Sequence, residues 1–210
     1  MAQENLRRIL SKLPTYSKEL GLNLHDPKDR FKWFLASILF AKRISTSIAK
    51  HTFVEFEKAG LTSPDAILEA GWGRLVEVLD SGGYVRYDFS TASILLESMA
   101  ALNRLGGLEE IHRRATDPKD LERRLMELKG VGPTAANIFL RELRGIWPKA
   151  RPAPCPIARK VGKLLGLREI EPHESALVRL HLEFCKKHRC AECPANPSCR
   201  RAKPRNQLKT

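Results

Sequence analysis

Four of the five cysteines crowd into the stretch 185–199: Cys185, Cys190, Cys193 and Cys199, with four, two and five residues between successive thiols. Thiolates are soft donors, and four in so short a loop can wrap one tetrahedral centre, either a zinc ion or an iron–sulfur cluster. Spacing alone does not choose between the two, and His188 could replace one thiolate at zinc. The loop is strongly basic, with Lys186, Lys187 and Arg189 inside it and Arg200, Arg201, Lys203 and Arg205 after it. A metal centre holding such a loop rigid would present these cations to a polyanion. Four or five phosphate contacts would give a log–log salt dependence with a slope of roughly −4.

A second stretch, Leu125 to Leu140, reads LMELKGVGPTAANIFL. Leu125 and Leu128 close one helical pattern, Lys129-Gly130-Val131-Gly132 is a turn, and Pro133 opens a second apolar run. Glycine tolerates positive φ, and proline suits the first turn of a helix, where its missing N–H would have no partner. Val131 is expected to plug the turn onto the core. Outward-facing amides at the turn and the helix N-terminus, around Gly130, Gly132 and Thr134, suit a phosphate.

Helical periodicity must position both stretches. Apolar spacing predicts helices over 5–13, from Arg30 to about Ala41, over 45–57, from the Ser63-Pro64 cap to Gly71, and around Leu75–Leu79. Further helices are expected from Ser90 to Leu105, Asp117 to Leu128, Pro133 to Leu143, Pro156 to Leu165 and Ala176 to Phe184. Pro14 to Pro27 reads as a looser link, and RGIWPKARPAPCP after Leu143 is too proline-rich for helix. No strand-like alternation persists, so the expected class is all-α.

Composition narrows the partners. Of 210 residues, 42% are hydrophobic and 29% charged, enough apolar material to bury a core, while the net charge is +13 with a pI near 9.8. That balance favours nucleic acid or an acidic surface. No apolar run approaches a membrane span, and MAQENLRRILSK lacks the apolar core of a secretory signal. The expectation is a monomeric, cytoplasmic, nucleoid-associated protein in which clustered cysteines mean metal rather than disulfides.

Over the sixteen positions 125–140 the sequence resembles the helix–hairpin–helix of the endonuclease III superfamily of DNA glycosylases, and the order of short helices across most of 28–200 is similar to that superfamily as well. The resemblance implies a bilobal all-α fold. Residues 29–145 would form a barrel-like lobe with the hairpin, residues 1–28 plus 146–210 the second, and DNA would lie across the cleft between them. It implies double-stranded, damaged or mismatched DNA as partner, contacted by Lys129, Gly130, Val131, Gly132 and Thr134, and by Lys42, which stands where relatives probe the base stack. It also implies a 4Fe-4S cluster on the four cysteines, although the first gap is shorter than usual. The implied activity is base excision repair: a hydrolase flips a damaged base and breaks its N-glycosidic bond.

Two departures bear on the chemistry. The family's lysine, in the pattern G-apolar-G-x-K, is replaced here by Thr134, which removes Schiff-base and strand-cutting chemistry but leaves water-based excision open. The family's aspartate aligns with Pro154, and no Asp or Glu lies between Glu142 and Glu169. Lys42, Glu142 and Cys155 are the candidate substitutes. If none serves, a binder of damaged or distorted DNA that has lost the excision residues is the alternative. Trp33, Trp72 and Trp147 are expected in packing, and Tyr84 lies in a turn that borders DNA in relatives.

Overall fold

The computed structural model describes residues 2–200, so Arg201, Lys203 and Arg205 lie outside the described residues. Every regular element among them is helical, in agreement with the sequence pattern. The chain divides into two compact units, Leu20–Pro152 and Met1–Glu19 with Ala153–Thr210. The breaks fall at 19/20 and 152/153 rather than at the expected 28/29 and 145/146. Burial explains the shift: Leu22, Leu24, Trp147 and Ala150 are all buried, and the Arg30 guanidinium donates to the Leu24 carbonyl at 2.7 Å, within the larger unit.

The larger unit holds α3 (Pro27–Phe40), α4 (Thr46–Lys58), α5 (Pro64–Ser81), α6 (Asp88–Arg104), α7 (Gly107–Arg114), α8 (Pro118–Met126) and α9 (Pro133–Glu142). Helix α3 is apolar nearly all round and is therefore a buried helix. Trp33, Phe34, Leu35, Ala36, Ile38 and Leu39 are each 1% exposed or less. It packs against α4 and α9, with the Trp33 indole N–H donating to the Phe139 carbonyl at 3.3 Å and Phe34 meeting Phe139 edge-on at 5.4 Å. Removing one such buried aromatic costs about 3–5 kcal/mol.

Polar caps set the helix starts. Asp26 accepts from Lys28 N–H at 2.8 Å, Ser63 from Ala66 N–H at 3.2 Å, and Asp117 from Lys119 N–H at 2.8 Å; such a cap contributes about 1 kcal/mol. Helix α3 therefore begins three residues before Arg30, where the apolar run alone placed it. Helix α7 lies in a stretch that the sequence pattern left between helices; Glu110, hydrogen-bonded to Arg113 and Arg114, stitches its surface. Helix α5 bends at Gly71, whose φ of 71° and ψ of 174° suit only glycine.

Of the three tryptophans, Trp33 and Trp147 are core residues, but Trp72, directly after the bend, is 45% exposed. It lies on the exposed Phe89 ring at 5.4 Å and donates to Ser93 Oγ at 3.1 Å. The packing expectation for Trp72 is thus corrected: the bend turns the indole outward. Tyr84 is fully buried, its hydroxyl donating to the Leu39 carbonyl at 2.9 Å, so it is a core residue rather than a surface one.

The smaller unit packs α1 (Ala2–Lys12), the short α2 (Tyr16–Glu19), α10 (Pro156–Leu165) and α11 (Glu174–Leu180). Leu6 and Leu10 meet Ala158, Val161 and Leu165 of α10 and Leu177 and Leu180 of α11 in one core. Arg179 ties the connection down, bridging Glu19 and Glu183 at 2.9 Å each and donating to the Pro14 carbonyl at 2.8 Å. No helix of the described residues is long and apolar enough to cross a membrane.

Candidate functional site

The hairpin between α8 and α9 is built from its plug outward. Leu128 and Val131 are 1% and 2% exposed, and Val131 N–H donates to the Leu128 carbonyl at 3.0 Å. Gly130 has φ +79°, and a Cβ there would meet Ile94 Cγ2 at 2.3 Å, so both backbone and space require glycine. Gly132 differs. It caps α9 with an extended φ of −89°, and a Cβ added to it meets nothing within 4 Å. Its backbone is open on the side away from the protein.

Lys129, Gly130, Gly132, Pro133 and Thr134 are all exposed, and only Val131 of this turn is buried. Ala136 N–H already bonds the Gly132 carbonyl at 3.0 Å, whereas the amides of Gly132, Thr134 and Ala135 make no backbone hydrogen bond among the described residues. These amides stand at the positive end of the α9 dipole, the arrangement that suits an anion. Lys129 adds a cation, loosely paired with Glu97 at 3.8 Å; both side chains are 60% exposed. A shallow hollow lined by Glu97, Ala100, Ala101, Arg104, Glu127 and Lys129 adjoins the turn.

Lys42 lies just past the end of α3, half-buried, with its ammonium 6.0 Å from the Tyr87 ring centroid; the Arg86 guanidinium approaches the same ring at 5.6 Å. Glu142 is the half-buried last residue of α9.

In the smaller unit the four cysteines line one small hollow, open in part to solvent, together with Leu164, Phe184 and Asn196. Among the described residues no group of three or more His, Cys, Asp or Glu side chains converges tightly enough to hold a single metal ion. The thiols instead surround the cavity. Helix α11 runs on into a π-turn, His181–Cys185, and such a turn adds a residue to the helical repeat and re-aims the side chains beyond it. Cys185 leaves from its last position into the cavity wall, which accommodates the short gap to Cys190.

The helix then stops in a Schellman motif: His188, at φ +56°, donates its N–H to the Cys185 carbonyl at 3.3 Å, and Arg189 donates to the Phe184 carbonyl at 3.0 Å. His188 is therefore a C-terminal turn residue, exposed and not among the cavity-lining residues. Short 3-10 turns, Cys190–Glu192 and Asn196–Ser198, bring up the remaining thiols, and Arg200 N–H ties the loop's end to the Leu164 carbonyl at 3.1 Å.

Burial first, and then the neighbouring Cys199 and Cys190 thiols, push the Cys193 thiol above its ordinary pKa. A set of neighbouring, mutually repelling sulfurs, three of them half-buried and Cys190 exposed, is the donor chemistry that a cationic centre relieves. Around it, Lys186 and Lys187 are exposed, but Arg189 forms a bidentate pair with Glu192, which spends part of its charge locally.

At the start of α10, Pro154 is half-buried where a carboxylate was sought, and Cys155 occupies the N-cap position, packed against the unit's core. A carboxylate does reach this spot, from α11. Glu174, 1% exposed, accepts from Cys155 N–H at 2.9 Å. Sequence order hides it, since nineteen residues separate the partners. Compared with protein-family models, with curated proteins and with solved structures, the chain gives no match.

Proposed function

We propose that this protein binds double-stranded, damaged or mismatched DNA through its helix–hairpin–helix, in the manner of the endonuclease III superfamily. In this reading it acts in base excision repair as a DNA N-glycosylase-like protein of the cytoplasm and nucleoid. The observation that carries the reading is the open backbone at Gly132, where the amides of Gly132, Thr134 and Ala135 make no backbone hydrogen bond among the described residues, at a helix N-terminus beside an exposed lysine. Such a surface holds a sugar–phosphate strand without reading bases. Lys186 and Lys187 of the cysteine loop add exposed charge, and Lys42 with Arg86 adds a basic edge around Tyr87.

A cavity walled by four thiols and two apolar side chains suits a 4Fe-4S cluster better than one zinc ion. Cys185, Cys190, Cys193 and Cys199 would hold it. Bound there, the cluster staples the loop, and the chain's own lysines make the contacts.

Excision requires stabilisation of a cation-like sugar. Thr134 offers no amine and Pro154 no carboxylate, while Glu174 is buried and engaged by the Cys155 amide. This arrangement favours, as a second reading, a binder of distorted duplex that retains the grip without the chemistry. Incubating the protein with duplexes carrying a panel of lesions, then treating with alkali, separates the two. Strand breaks at one lesion support excision. Tight, lesion-selective binding without a break at any lesion supports the binder, and no duplex binding at moderate salt refutes both.

A further inference from the structure

Asn196 is the one cavity-lining residue whose side chain can donate a hydrogen bond from nitrogen, since the other six are Leu164, Phe184 and the four cysteines. Its place is fixed by the ligand loop itself. Asn196 N–H donates to the Cys193 carbonyl at 2.9 Å, and Cys199 N–H donates to the Asn196 carbonyl at 3.0 Å. The side chain thus rides on the turn that connects two of the four thiols. Its Oδ1 is buried and finds no hydrogen-bond partner.

A buried amide oxygen with no donor, in a wall of sulfurs, is the wrong end of the group. The oxygen and nitrogen of an amide are nearly the same size, and a half-turn about the last torsion exchanges them. The exchanged amide presents an N–H to sulfur, an acceptor that carries negative charge once the thiols ligate a metal. Apolar Leu164 and Phe184 supply no competing partner.

We infer that Asn196 is an outer-shell residue of the cysteine centre, its side-chain amide donating an N–H···S hydrogen bond to the bound cluster or its ligating sulfur. This inference rests on the iron–sulfur reading above. Hydrogen bonds to cluster sulfur stabilise the more negative, reduced state and so raise the reduction potential.

The test uses full-length protein purified without oxygen. Wild-type protein is first assayed for iron, sulfide and zinc, and its visible spectrum is recorded. Zinc without iron overturns the cluster reading and this inference with it, before any variant is made. With iron and sulfide present, the potentials of Asn196→Leu, Asn196→Asp and Asn196→Gln are measured by spectroscopically monitored redox titration, each normalised to bound iron. Loss of the donor in Asn196→Leu is expected to shift the one-electron equilibrium about tenfold toward the oxidised cluster, a fall of roughly 59 mV. Asn196→Asp retains the shape, loses the donor and adds charge, so it falls further, while Asn196→Gln recovers part of the difference. Equal potentials in iron-replete wild type, Leu and Asp variants overturn the inference while leaving the cluster reading standing.

Discussion

The hairpin and the cysteine loop both fix a short backbone segment, yet by opposite means. The hairpin is held from beneath: Leu128, Val131 and Ala135 are buried, and Gly130 sits against Ile94. The cysteine loop has Ala195 alone fully buried between Lys186 and Arg200, and its regular structure is two three-residue turns. Apolar burial supplies the order in the first case. In the second the proposed centre on the sulfurs would have to supply it, because so little surface leaves water. A binding surface supported by packing survives loss of a cofactor; one supported by ligation does not.

The largest expected effect comes from that contrast. If the cysteines hold the proposed centre, stripping it with a chelator, or changing Cys193→Ser, should destabilise the smaller unit by on the order of 4–5 kcal/mol, the range reached when a structural metal is lost. Hydrogen exchange resolved by segment should show loss of protection over α10 and α11, with α8 and α9 unchanged. Equal loss in both regions would break the comparison.

Next comes a pair of substitutions within the hairpin. Gly130→Ala forces a side chain into the left-handed region and against Ile94, costing about 2–4 kcal/mol in denaturant unfolding. Gly132→Ser has open space and a favoured capping position, so stability should change by only a few tenths of a kcal/mol. Its duplex affinity should nonetheless fall several-fold, equally for all sequences, as the new side chain stands between backbone and phosphate. Unaltered affinity of Gly132→Ser would remove the hairpin from the interface.

A smaller effect tests charge beside the turn. Glu97→Gln releases Lys129 and removes a repulsive carboxylate, so duplex binding at low salt should tighten about two- to threefold, and the gain should vanish as salt rises.

The smallest effect concerns acid. Hydrogen bonds from Arg113 and Arg114 hold the Glu110 carboxyl at about 2, below its ordinary 4.5. The folded value is the lower one, so the stabilisation is present above pH 4.5 and is lost as pH falls toward 2. Glu110→Gln should flatten that part of the acid-unfolding curve by a small margin. The cysteine loop's response to a chelator should be unaffected.

How much of the fold and the site was legible in the sequence depended on the range of the interaction. Ser63-Pro64, Asp117-Pro118 and Gly132-Pro133 announce helix starts because a cap and a proline act within three residues, and all three starts stand where expected. Val131 was readable as a plug for the same local reason. Helix α7 was missed because only Leu108 and Ile111 of its eight residues are buried, too few to set a period. The phase of Cys185 depends on a π-turn, which no residue pattern encodes. Glu174 at Cys155 and Tyr84 at Leu39 are contacts made by folding, across nineteen and forty-five residues, and no spacing reveals them.

The bend at Gly71 has a practical consequence. Because it leaves one indole at the surface while Trp33 and Trp147 stay at 0% and 4% exposure, the protein carries its own optical reporter. Iodide or acrylamide should quench the Trp72 fraction of the emission alone. Any molecule that settles over Phe89 and Ser93 would therefore announce itself as lost quenching, with no label attached.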